Sequence, residues 1–105
     1  MSKYHNRQTA AHDGTVFSSA RECNRYEELL LLYRMGKIRA LNSQVKYELI
    51  PKQDGERSCS YIADFTYLDE SNCFHCEDTK GCRTKDYVIK RKLMLWVHHI
   101  RIEEI

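Results

Sequence analysis

Several features are missing from this 105-residue chain, and each absence removes a class of function. No apolar run is long enough to span a bilayer, and no signal-peptide pattern opens the chain. A cytoplasmic protein with no membrane partner is expected. Repeats, low-complexity segments and linkers are absent too, so residues 1–105 are expected to form one domain, with residues 1–8 as a loose basic arm. A strong charge of either sign is missing: 17 Lys and Arg stand against 15 Asp and Glu, a net charge of +2. The overall balance therefore points to no partner, and only its distribution is informative. The five cysteines are an odd number, which fits reduced thiols in the cytosol better than a disulfide framework.

What is present centres on residues 61–81, YIADFTYLDESNCFHCEDTKG. Aromatic and β-branched residues from Ser58 to Leu68 predict a strand. Asp69-Glu70-Ser71-Asn72 is a polar turn, and a second strand runs from Cys73 to Lys80 and stops at Gly81. Asp64 interrupts the first strand with a charge. On the second strand Asp78 and Lys80 are two apart and share a face with Phe74 and Cys76. Charge on a half-apolar face costs stability unless it is paired. A metal site needs that arrangement: carboxylates bind a hard cation such as Mg²⁺, and a nearby Lys holds a phosphate or orients a water. A salt-bridged hairpin is the ordinary alternative.

Around this hairpin the chain reads in order. Thr9 to Phe17 contains Asp13-Gly14 and predicts a short hairpin. A helix starts at Ser18-Ser19, carries a stripe of Tyr26, Leu29, Leu30 and Tyr33, and ends near Gly36. Glu22 either closes a capping box with Ser19 or reaches over the sheet to the other carboxylates. Gln44 to Pro51 alternates as a strand, and Gln53-Asp54-Gly55-Glu56 turns into the Ser58 strand. Thr84 is a candidate N-cap for a second helix with a stripe of Ile89, Leu93, Trp96 and Val97, closed by His98 and His99. Ile100 to Ile105 alternates as a last strand, returning in parallel through the helix. The fold class expected is α/β: hairpin, helix, three-strand meander, helix, strand.

Two further clusters carry chemistry. Lys80, Arg83, Lys85, Lys90, Arg91 and Lys92 face only Asp86 in their stretch, which suits a phosphate backbone or an ordinary solvated helix face. Cys59, Cys73, Cys76 and Cys82, with His75, have the composition of a zinc site. An extended strand points residues 73 and 76 to opposite faces, so buried inert thiols are the simpler reading.

An acid on one strand followed by Asp-x-Lys on the next resembles the PD-(D/E)xK nuclease superfamily. More closely, KYHNR, DGTVFSSARECNRYEEL, KYELIPK, YIADFTY and EDTKG, in that order, resemble the DUF1064 family of small phage proteins. The superfamily is similar to phage Holliday-junction-resolving endonucleases. The resemblance implies a restriction-endonuclease-like core of α-β-β-β-α-β order and catalytic residues Glu22, Asp64, Asp78 and Lys80. It implies Mg²⁺, with Mn²⁺ as a substitute, held by Asp64, Asp78, the Thr79 carbonyl and Glu22. DNA, branched rather than linear, is the implied substrate, contacted by Arg83, Lys85, Lys90, Arg91 and Lys92 and by Lys3 and Arg7 of the arm. Two coordinated cuts imply a homodimer, working in the cytoplasm of the phage's bacterial host. A catalytically inactive DNA-binding module of the same fold and a small zinc domain are the alternatives. The chain departs from the pattern at Ala63, where the superfamily has Pro, and at Gln44-Val45, where relatives carry Gln-Pro.

The register of the central hairpin decides the pairing. A four-residue turn would set Asp64 opposite Glu77. A three- or five-residue turn would set it opposite Asp78 and turn Glu77 to the other face. The Asp-x-Lys pattern favours the second.

Overall fold

Asp13-Gly14 reverses the chain between β1 (Thr9–Ala10) and β2 (Val16–Phe17), in a computed structural model that describes residues 8–79 and 83–105. Gly14 takes φ +92, a conformation that costs glycine little. α1 (Ala20–Arg34) starts at Ser19, whose hydroxyl accepts from the Glu22 N–H at 3.2 Å. It ends in a Schellman motif: Gly36 donates to the Tyr33 carbonyl at 3.1 Å and Lys37 to the Leu32 carbonyl at 2.9 Å.

Four strands form one mixed sheet in the order β3-β4-β5-β6. β3 (Ile38–Ile50), β4 (Cys59–Asp69) and β5 (Phe74–Asp78) are an antiparallel meander. After α2 (Lys85–His98), β6 (Glu103–Glu104) adds in parallel beside β5. α2 is capped by Thr84, as its sequence predicts, and closes with His99 in the left-handed region. Among the described residues no helix is long and apolar enough to cross a membrane.

Four sequence expectations need correction. β3 begins at Ile38, not Gln44. Its first half was hidden by a polar run and by two residues, Ala40 and Gln44, with φ near +55. The final strand is two residues long rather than six. Of the stripe expected on α2 only Leu93 packs against the core: Ile89, Trp96 and Val97 are exposed, and Tyr87 and Met94 are the buried positions. On α1 the inward face is Cys23, Tyr26 and Leu29, while Tyr33 is exposed.

The helices cover opposite faces of the sheet. On β5, Cys76 packs with Tyr87 and Met94 of α2, and its neighbour Glu77 reaches Arg25 of α1. β4 changes sides midway. Tyr61 and Ala63 pack in the α2 cluster, but Phe65 and Tyr67, of the same parity, pack in the α1 cluster. β3 does the same, with Leu41 on one side and Val45 and Tyr47 on the other. The switch falls at Asp64 and at Gln44, whose φ of +54 breaks the pleat.

His75 ties the far end of the sheet together. Its Nδ1 lies 2.7 Å from Glu103 of β6 and its Nε2 2.8 Å from Asp69 at the end of β4, while its ring stacks on Tyr67. A neutral imidazole has one N–H and satisfies one carboxylate; the imidazolium satisfies both. The hydrogen bond to Asp69 is the largest cause holding His75 above its ordinary 6.5. A raised folded-state pKa means stabilisation that is complete below 6.5 and lost as pH rises through the raised value. His75→Gln should therefore lower Tm more at pH 6 than at pH 9. An equal loss at both values would mean that the proton contributes nothing.

Candidate active site

The hairpin register is set by its loop. Leu68 pairs with Phe74 and Phe65 with Glu77. Asp69 donates to the Cys73 carbonyl at 3.0 Å, closing a three-residue loop that ends on Asn72 at φ +64. Asparagine tolerates that conformation better than most residues. Cys73 thus belongs to the loop and not to the strand. Phe65–Glu77 is the last pair of this ladder; beyond it Asp64 accepts from Thr79, the residue after Asp78, while Glu77 turns to Arg25 of α1 and Asp78 to Tyr61 on the α2 side.

Each acid is held by specific donors. Asp64 accepts from the Thr79 N–H at 2.7 Å and from the Thr79 hydroxyl at 2.9 Å. Asp78, almost fully buried at the end of β5, accepts from the Tyr61 hydroxyl at 2.6 Å. Burial, followed by this hydrogen bond, raises the Tyr61 pKa, so the phenol remains the donor. Glu22 comes from the first turn of α1. Only half of the capping box forms. Ser19 accepts from the Glu22 backbone, but the Glu22 carboxylate turns to the Gln44 amide at 2.7 Å and the Ser18 hydroxyl at 3.4 Å.

Glu22 also feels both aspartates. Burial pushes its carboxyl up first, and then the Asp64 charge; the Ser18 hydrogen bond opposes, the Asp78 charge adds, and the Gln44 hydrogen bond opposes. Three acids from α1, β4 and β5 thus share one field where β5 ends, and the like charges make it harder to ionise all three. Gln44 was not singled out as a site residue. The Val45 that follows it, where relatives carry Pro, counts against a site role in the sequence, and the left-handed backbone that aims Gln44 is not readable from an alternating pattern.

The other sequence candidates divide. Thr79 is at the site through the two bonds above. Lys80, Cys82, Lys3 and Arg7 lie outside the described residues. Arg83 and Arg91 are not free cations: both pair with Glu104 of β6, at 2.5 and 3.1 Å. Lys85 and Lys92 are exposed on α2, and Lys90 is half-buried.

The donor set suits one class of metal and not another. Cys76 is buried in the α2 cluster while Cys73 is exposed in the loop, so the two thiols do not face one site. Among the described residues no group of three or more His, Cys, Asp and Glu is gathered closely enough to enclose a metal ion. Mg²⁺ does not need enclosure. It keeps several waters and takes one or two carboxylates. Asp64 and Asp78, with oxygens from the adjoining Thr79 backbone, fit that requirement, and the repulsion felt by Glu22 is what a divalent cation relieves.

The model of a family described as a protein of unknown function, DUF1064, matches residues 1–103. No curated protein and no solved structure matches the chain.

Proposed function

The chain belongs to the DUF1064 family, and we propose that it is a metal-dependent endonuclease of PD-(D/E)xK type that hydrolyses phosphodiester bonds in branched DNA. The observation that carries this reading is the gathering of three acids at the end of β5: Asp78 itself, Asp64 accepting from the Thr79 N–H at 2.7 Å, and Glu22 of α1 charge-coupled to both aspartates. The helix, three-strand meander, helix and parallel strand are in the order that such a core requires. The preference for branched over linear DNA rests on the family resemblance alone, and with it the expectation of two copies cutting in concert.

When bound, a divalent cation lowers the pKa of water and offsets charge on the phosphate. The chain's own groups prepare for this. Tyr61 holds one oxygen of Asp78 and Thr79 holds one of Asp64, so each carboxylate presents a fixed orientation. Gln44 steadies Glu22 through its amide at 2.7 Å, so that carboxylate too presents a fixed orientation. Lys80 would support the attacking water or the developing negative charge.

Two measurements test the reading. Purified protein with Mg²⁺ should cut a synthetic four-way junction and leave the matched duplex largely intact, and the reaction should stop in EDTA. Failure to cut either DNA would overturn the endonuclease reading. Independently of activity, Mg²⁺ should stabilise the fold. A site filled at ten times its Kd adds about 1.4 kcal/mol. Glu22→Gln should raise Tm in EDTA, because a carboxyl with a raised pKa costs stability when ionised. The same change should shrink the Mg²⁺ increment. A wild-type Tm indifferent to Mg²⁺ would argue against the metal.

A further inference from the structure

A cavity of about 300 Å³ lies between α2 and β6, lined by Arg91, Lys92, Leu95, Arg101, Ile102 and Glu104. We propose that it seats a backbone phosphate of the nucleic acid, outside the cleaved bond, an assignment that rests on the nucleic-acid part of the reading above and not on catalysis. Three cations and one acid line it. The acid is already occupied: Glu104 is held by Arg83 and Arg91. Lys92 and Arg101 have no carboxylate partner among the described residues. The pocket therefore keeps two uncommitted positive charges beside a neutralised one. Both are exposed at its rim, while Ile102 is buried and gives it part of an apolar wall. Two cations against a partly apolar wall attract a phosphate more strongly than the same cations spread over open surface.

Its place in the sheet supports the same ligand. Glu104 pairs in register with Asp78. The pocket is thus one strand away from the acid cluster, about 4.8 Å in the sheet direction plus the reach of the side chains. A DNA strand carries a phosphate every 3.4 Å or so along its axis. A strand with one phosphate at Asp64 and Asp78 has another within reach of Lys92 and Arg101. Trp96, 78% exposed, follows Lys92 by one helical turn on the same side of α2. As the chain's one tryptophan it is a natural reporter.

The test measures binding in EDTA, so that no cleavage is needed. A labelled four-way junction is titrated at several salt concentrations. Lys92→Gln and Arg101→Gln should each lower the salt slope of log K by about 0.9. Lys46→Gln, on the opposite edge strand β3, should leave it unchanged. Inorganic phosphate should shift the amide signals of Leu95 and Ile102 weakly, and the junction should displace it. Unchanged slopes in both pocket variants would overturn the proposal. So would saturable phosphate binding that DNA fails to compete, which would mark a small-anion site. If the slopes fall as expected but no cleavage is found with Mg²⁺, the endonuclease reading fails and the phosphate site stands.

Discussion

Asp78→Asn is expected to abolish Mg²⁺-dependent cleavage while leaving the fold and DNA binding intact. Asn keeps an oxygen that accepts from Tyr61, so the hydrogen bond at 2.6 Å survives in neutral form. What is lost is the negative charge and the anionic ligand. Metal stabilisation of a transition state is worth several kcal/mol, and each 1.36 kcal/mol is tenfold in rate. The loss should therefore reach about a thousand-fold or more. Asp64→Asn should behave alike, since its amide oxygen still accepts from Thr79. DNA should bind as well or better, because a charge repelling phosphate is gone. Gel assays of junction cleavage and of binding in EDTA separate the two effects. Either variant cutting at more than a tenth of the wild-type rate would remove that residue from the site.

How far the sequence foretold this arrangement depends on which physical signal each element uses. Local signals read well. Asp13-Gly14, Ser19, Gly36 and Thr84 act through their own backbone or side chain, and the turns and caps stand where those residues predict. The amphipathic stripe on α2 misled because burial is decided by what the helix lies on. Here Tyr87 and Met94 are buried with Val88 and Leu93 packed beside them, and Ile89 and Trp96 are left outside. The start of β3 was invisible because left-handed residues at Ala40 and Gln44 break alternation. The register of the central hairpin was open in the sequence, because one loop residue more or fewer exchanges Asp78 for Glu77. The left-handed Asn72 settles it. The Arg25–Glu77 pair left no local trace at all. Its partners are 52 residues apart, and only the packing of α1 on β5 brings them together.

That pair carries the largest stability effect expected. Glu77 is completely buried between sheet and helix. Its two oxygens accept from Arg25 at 2.7 and 2.6 Å, and Tyr67 donates to one of them. A bidentate pair of this kind satisfies a buried carboxylate in full. The Glu77 hydrogen bonds are the first cause holding the Arg25 pKa above its ordinary value, so the guanidinium stays charged. Arg25→Ala would strand the carboxylate in the core, and breaking a buried pair costs about 3–5 kcal/mol. For a domain with about 5–15 kcal/mol in total, that approaches unfolding, and the drop in Tm should exceed about 10 °C. Replacing both partners, Arg25→Met with Glu77→Leu, should recover much of the loss, because no unpaired charge remains. Urea unfolding of the two single variants and the double variant measures the coupling. A cost below about 1 kcal/mol for Arg25→Ala would make the pair no more than a surface contact. The position of the pair gives it a second role. Arg25 lies one helical turn after Glu22, and Glu77 immediately precedes Asp78. The bond therefore fixes the spacing between the helix acid and the strand acid, and the double variant should fold yet bind Mg²⁺ more weakly than wild type.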